Sequence, residues 1–162
     1  MFSLMKPDLF ILLPSWAGDN RSAPTRPPTA SELLAGLEVI QALAAAWADS
    51  WVNDRTDRHE EGGWIYLDLS TGVIVTRRAP AGTRSRLSLA NPPLLPNHVI
   101  VGTFHTHPNP ASEGWDTGPS IQDEQAANYS GVPWLIRAED GDRSTGPVSR
   151  RGGLGGGAGF PP

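Results

Sequence analysis

Between residues 30 and 52, apolar side chains return at intervals of four, three, four, three and four: Leu33, Leu37, Ile40, Ala44, Trp47 and Trp51. That spacing is one face of a 3.6-residue repeat and predicts a single amphipathic helix packed on a core. Thr29 with Glu32 three residues later forms a capping box, and Pro27-Pro28 prevents an earlier start. After a charged bridge over 53–61 the period changes to two. Ile65, Leu67 and Leu69 point one way, while Trp64, Tyr66 and Asp68 point the other. Ser70-Thr71-Gly72 turns the chain into Val73–Val75, closing a hairpin. A further short strand is expected over Arg84–Leu89. Pro92, Pro93 and Pro96 then mark a loop, and His98–Phe104 is a buried strand ended by Pro108 and Pro110. Ser120 opens a second helix reaching Tyr129, stopped by Gly131 with Pro133 beyond. Trp134–Ile136 and residues 143–148 are two last strands around an Asp140-Gly141 turn. This order predicts a single α+β (mixed α/β) domain, one curved sheet flanked by helices.

Composition narrows the function classes. A chain of 162 residues is the size of one domain, and 18 Gly with 16 Pro exclude a long-helix bundle. The net charge is −4 and Lys6 is the only lysine, so no basic stripe exists to follow a phosphate backbone, and nucleic acid is excluded as a partner. Cysteine is absent, which removes disulfides, thiolate nucleophiles and Cys-ligated metals together. No apolar run approaches the 18 or so residues of a membrane span, and a cytoplasmic protein is expected. Residues 1–28 divide into a leader and a polar, Pro-rich linker. The five-residue apolar run Leu9–Leu13 is shorter than the roughly 7–15 residues of a signal-peptide core, so an edge strand or leader is preferred. Residues 29–150 form the domain, and 151–162 form a Gly-rich flexible tail.

The chemistry concentrates at Phe104-His105-Thr106-His107-Pro108 and Gly118-Pro119-Ser120-Ile121-Gln122-Asp123. His105 and His107 stand two apart at a strand end, so a period-two backbone sends both imidazoles to one side, as two ligands of one metal require. Asp123 lies in the first turn of the next helix, three residues after its N-cap, and completes a His-His-Asp set. A zinc ion held this way keeps one tetrahedral position open for catalysis. Taken singly, His-x-His is often a surface or core pair and Ser-x-x-Asp an ordinary helix start. Their order, joined by a Pro-Gly loop, favours the functional alternative. His59 is read as a surface histidine, with a supporting role beside Glu60 the alternative, and His98 as a structural one. Trp115 and Trp134 are candidates for shaping a groove, with a core role the alternative for Trp134.

These residues resemble the JAMM (MPN-domain) metalloproteases, whose signature is a Glu, then His-Ser/Thr-His-Pro, seven residues and Ser-x-x-Asp. His105-Thr106-His107-Pro108 and Ser120-Ile121-Gln122-Asp123 match it residue by residue, although the spacer Asn109–Pro119 has eleven residues. The family's upstream Glu stands as Glu-x-x-Gly at a strand start. Glu60-Glu61-Gly62-Gly63 fits, with Glu60 in position and Glu61 the alternative. The resemblance spans residues 29–148 and implies an MPN/cytidine-deaminase-like fold with zinc on His105, His107 and Asp123. It implies Glu60 as general acid–base and Ser120 as oxyanion donor. It further implies an isopeptidase acting on the tail of a ubiquitin-like protein or its conjugates, as in bacterial conjugation systems linked to anti-phage defence. The alternatives are a zinc peptidase on cell-wall, phage-tail or small amide substrates, or an inactive MPN scaffold. The oligomeric state stays open.

Overall fold

The computed structural model of the chain describes residues 26–147. The leader and the Gly-rich tail expected at the two ends lie outside the described residues, apart from the Pro-rich stretch just before the first helix.

The expected helix over 30–52 is two helices, α1 (Ala30–Ala35) and α2 (Leu37–Asp49). Gly36 between them is extended, with φ −76° and ψ 131°, and its N–H closes on the Leu33 carbonyl at 3.0 Å. The break resets the helical phase. Leu33 stays in the core, but Val39, Leu43 and Ala46 carry the buried face onward, while Leu37, Ile40 and Trp51 are exposed. An unbroken repeat through Leu37 and Ile40 is therefore corrected. Gly has about 1 kcal/mol less helix propensity than Ala, which makes residue 36 the place where the helix yields. The capping box of Thr29 and Glu32 forms as the sequence predicts.

Five strands follow: β1 (Gly62–Asp68), β2 (Ile74–Arg78), β3 (His98–Thr106), β4 (Trp134–Ala138) and β5 (Gly141–Thr145). They form one mixed sheet in the order β2-β1-β3-β4-β5. Only β3 and β4 run parallel, and the crossover between them carries α3 (Ile121–Ser130). Alternation in β1 is as expected. Ile65 and Leu67 meet Leu33, Val39, Leu43, Val101 and Phe104 under α1 and α2, whereas Trp64 and Tyr66 face the other side. The fold is a mixed α+β domain with helices flanking a five-stranded sheet.

No strand forms over Arg84–Leu89. The chain instead makes a tight turn closed by an isolated Thr83–Arg86 bridge. Leu87, Leu89 and Leu95 then fold over Trp64 and Tyr66, whose Nε1 and hydroxyl donate to the carbonyls of Leu89 (3.2 Å) and Pro93 (2.7 Å). With the prolines at 92, 93 and 96 removing backbone donors, this cover is held by side chains rather than by a ladder.

β3 carries one more residue than its partner. Tyr66 pairs with Ile100 but Ile65 with Gly102, leaving Val101 as a bulge. Before it, Val99 and Val101 face the helices; after it, Phe104 does, beneath α1 and α2. The helix break at Gly36 and the buried face it sets are tested by one contrast. Leu43→Ala should cost about 2–5 kcal/mol in urea unfolding, whereas Leu37→Ala should stay within about 0.5 kcal/mol. Equal losses would restore the continuous helical face.

Candidate metal centre

β3 runs through the middle of the sheet and stops where Pro108 has no N–H to offer. His105 is the penultimate strand residue. His107 lies just past the end, its backbone still bonded to the Arg137 carbonyl at 2.8 Å. The parallel β3–α3–β4 crossover brings the start of α3 back over that strand end. Ser120 caps α3 in a full capping box: its hydroxyl accepts from the Asp123 N–H at 3.1 Å, and its own N–H donates to Asp123 Oδ2 at 2.7 Å. The carboxylate is thereby fixed facing the two imidazoles.

The three ligand candidates converge. His105 Nε2 and His107 Nε2 are 3.0 Å apart, His105 Nε2 is 3.2 Å from Asp123 Oδ1, and His107 Nε2 is 3.4 Å from Asp123 Oδ2. His105 and Asp123 are buried, and the cluster is able to hold a metal ion. Burial pushes the His105 ring below its ordinary value, against the pull of Asp123, and so favours the neutral form a ligand needs. Burial works the same way on His107, but its bond to Asp123 and the Asp123 and Glu60 charges outweigh it, and the ring ends above its ordinary value. Asp123, despite burial, is held far below the carboxylate range by the two imidazoles and by Ser120. His107 also bonds to the backbone of Gly118, which orients the ring. The His105 Nδ1 is buried without a hydrogen-bond partner, and the Trp134 ring stands edge-on to it with centroids 5.8 Å apart.

The adjacent glutamates take different environments. Both are buried, at 8% and 7% exposure. Glu61 accepts from His59 Nε2 at 3.0 Å and from the Arg78 guanidinium, which also reaches Asp49 at 3.1 Å. Glu60 has no such partner and lines the same cavity as His105, His107 and Asp123. Burial pushes its carboxyl up to about 7, the Asp123 charge adding to the rise and His107 opposing it. His59 is thus a half-buried partner of Glu61 rather than the solvated surface histidine expected.

Further residues complete the site. Thr106, between the two histidines, turns to the helix side, where its hydroxyl meets Ser50 Oγ at 2.6 Å and accepts from the Glu61 N–H at 3.0 Å. One hydroxyl therefore ties α2, the glutamate segment and the ligand strand together. The motif contains this residue, but nothing in the spacing tells where its hydroxyl goes. Gly62 pairs with His105, and a Cβ there would stand 2.2 Å from the Phe104 carbonyl oxygen, so only glycine permits this approach. The long loop 109–119 contains one 3₁₀ turn (Ala111–Glu113) and is pinned at several points. Ala111 N–H donates to Glu139 at 2.7 Å, Glu113 pairs with Arg58 at 3.0 Å, and Thr117 Oγ1 donates to Asp140 at 3.0 Å. Glu113 is thus a tie to the loop after α2, and Asn109, Trp115 and Asp116 are the loop residues that line the cavity. Trp134 lies opposite, so the two tryptophans read as groove candidates both line it. The cavity measures about 690 Å³, a volume within the ordinary range of ligand sites.

No protein-family model, no curated protein and no solved structure matches the chain. No helix among the described residues is long and apolar enough to cross a membrane.

A carboxyl that prefers its proton in the folded chain makes stability fall as pH rises. Below the ordinary value of 4.5 both states hold the proton; between 4.5 and about 7 only the unfolded chain releases it. In metal-free protein, Glu60→Gln should match wild type below pH 4.5. Above pH 7 it should be the more stable, by up to about 3 kcal/mol. Denaturant midpoints across pH 4–8 measure this; a constant difference would mean that Glu60 is not desolvated.

Proposed function

We propose that the chain is a zinc-dependent hydrolase of amide bonds, a JAMM-type isopeptidase acting at the C-terminal tail of a ubiquitin-like protein. The observation that carries this reading is the meeting of His105, His107 and Asp123 with an otherwise unpartnered Glu60 in one cavity. Nitrogen and carboxylate donors about 2.0–2.2 Å from a tetrahedral zinc stand about 3.3–3.5 Å apart. The separations of 3.0, 3.2 and 3.4 Å are close to that spacing. Two imidazoles and one carboxylate are also a donor set of zinc hydrolases, and three protein ligands leave a position open.

When bound, such an ion supplies Lewis-acid chemistry, acidifying a water and polarising the scissile carbonyl. Glu60 accepts the proton of the attacking water and returns it to the leaving nitrogen. Its buried place in the cavity, with no ion-pair partner, leaves the carboxyl free for both transfers. Ser120 has two tasks. Its hydroxyl, which donates to Asp123 Oδ2 at 2.7 Å, fixes the ligand. Turned into the cavity, the same hydroxyl donates to the oxyanion of the tetrahedral intermediate, a role worth about 2.7–4 kcal/mol for comparable donors. Trp115 and the apolar segment Leu87–Leu89 flank the space an extended, small-residue tail would occupy. The choice of a ubiquitin-like tail rests on the motif resemblance.

Purified protein should carry one zinc per chain, and His107→Ala should lose it by elemental analysis. Glu60→Gln should retain the metal while kcat falls about 10²–10⁴-fold on ubiquitin-like fusions. Wild-type cleavage should stop with metal chelators and continue with serine and cysteine protease inhibitors. Cleavage of cell-wall peptides alone would change the substrate class. Zinc-loaded protein that cleaves nothing would leave a binding scaffold.

A further inference from the structure

The described arginines are paired almost throughout. Arg26, Arg55, Arg58, Arg78, Arg137 and Arg143 each meet a carboxylate. Arg77 and Arg84 donate to backbone carbonyls. Among the described residues, Arg86 alone has no oxygen for its guanidinium, and it lines the cavity of the His-His-Asp cluster. Glu60, Asp116 and Asp123 line that cavity too, yet none forms an ion pair with it.

The position of Arg86 is built. It closes the tight turn that replaces the expected strand, with the Thr83 N–H donating to its carbonyl at 2.8 Å. That turn is bonded to the backbone of Glu60 in both directions: Glu60 N–H to the Thr83 carbonyl at 2.8 Å, and Gly82 N–H to the Glu60 carbonyl at 2.9 Å. A Cβ on residue 82 would stand 2.2 Å from the Arg86 carbonyl oxygen, so glycine is needed to close it. Leu87 and Leu89 anchor the following residues over Trp64, and Asn109 Nδ2 donates to the Arg84 carbonyl at 2.7 Å. A planar, permanently charged fork is therefore carried on the same backbone unit as Glu60. Such a fork is matched by the two oxygens of a carboxylate.

We propose that Arg86 is a specificity-determining residue that binds a carboxylate of the substrate close to the scissile amide. This rests on the amide-hydrolase reading of the site and narrows its substrate class to amides flanked by an anion. A chain-terminal α-carboxylate and an acidic side chain beside the cleaved bond present the same chemistry.

The test uses the full-length, zinc-loaded chain carrying Glu60→Gln, which slows turnover during calorimetric titration. One pair of N-acetylated peptides differs only in a terminal carboxylate or carboxamide. A second pair, with blocked ends, differs only in Asp or Asn beside the central amide. At least one anionic member should bind about tenfold more tightly than its neutral twin. The pair that shows the preference identifies the source of the carboxylate. Adding Arg86→Gln should abolish the preference without changing zinc content, and Arg86→Lys should keep part of it. Equal binding of both twins in each pair would overturn the proposal. So would a preference that survives Arg86→Gln, since the metal would then be the carboxylate's partner. Absence of turnover by the zinc-loaded parent chain would sink the hydrolase reading while leaving the binding difference to be read on its own.

Discussion

Val101, standing without a partner opposite β1, decides which side of the sheet receives the imidazoles. Strand parity is strict, so one inserted residue exchanges the two faces for everything beyond it. Val99 and Val101 face the helices before the exchange; Phe104 and Thr106 face them after it, and His105 turns to the open side. Without the bulge, His105 would point beneath α1 and α2 into a dry core with no carboxylate near it. Gly102 makes the irregularity affordable, since a Cβ there would come within 2.9 Å of Leu33.

The same parity separates the two glutamates. Consecutive residues entering a strand point to opposite sides. Glu61 is spent on His59 and Arg78, bracing β2 and the end of α2. Glu60 is left against the cluster with no ion-pair partner, and burial pushes its carboxyl up to about 7. Neighbouring, chemically identical groups thus take opposite surroundings, Glu61 among cations and Glu60 in a desolvated cavity.

Periodicity and punctuation made much of this visible in the sequence. The hairpin, the central strand, α3 with its capping box, and the closing strands are local patterns, and the His-x-His pair with Asp123 follows from strand parity and a helix start. The helix over 30–52 misled because Leu37, Ile40 and Trp51 continue an apolar repeat that the extended Gly36 interrupts. Arg84–Leu89 misled because its alternation serves a lid over Trp64 and Tyr66, a tertiary demand with the same spacing as a strand. The bulge at Val101, the path of the Thr106 hydroxyl and the isolation of Arg86 depend on partners far along the chain, and no local spacing encodes them.

The parallel pairing of β3 with β4 also has a kinetic side. His105 and Asp123 are 18 positions apart on one β-α-β unit, whereas Glu60 comes from 45 positions before His105, through the β1–β3 ladder. Loop-closure entropy separates these excursions by only about 0.8 kcal/mol. What differs is the cooperative event each belongs to, one local crossover and one long-range antiparallel pairing. The His105–Asp123 half of the cluster and Glu60 thus belong to separate pairing events, brought together only when β1 zips against β3.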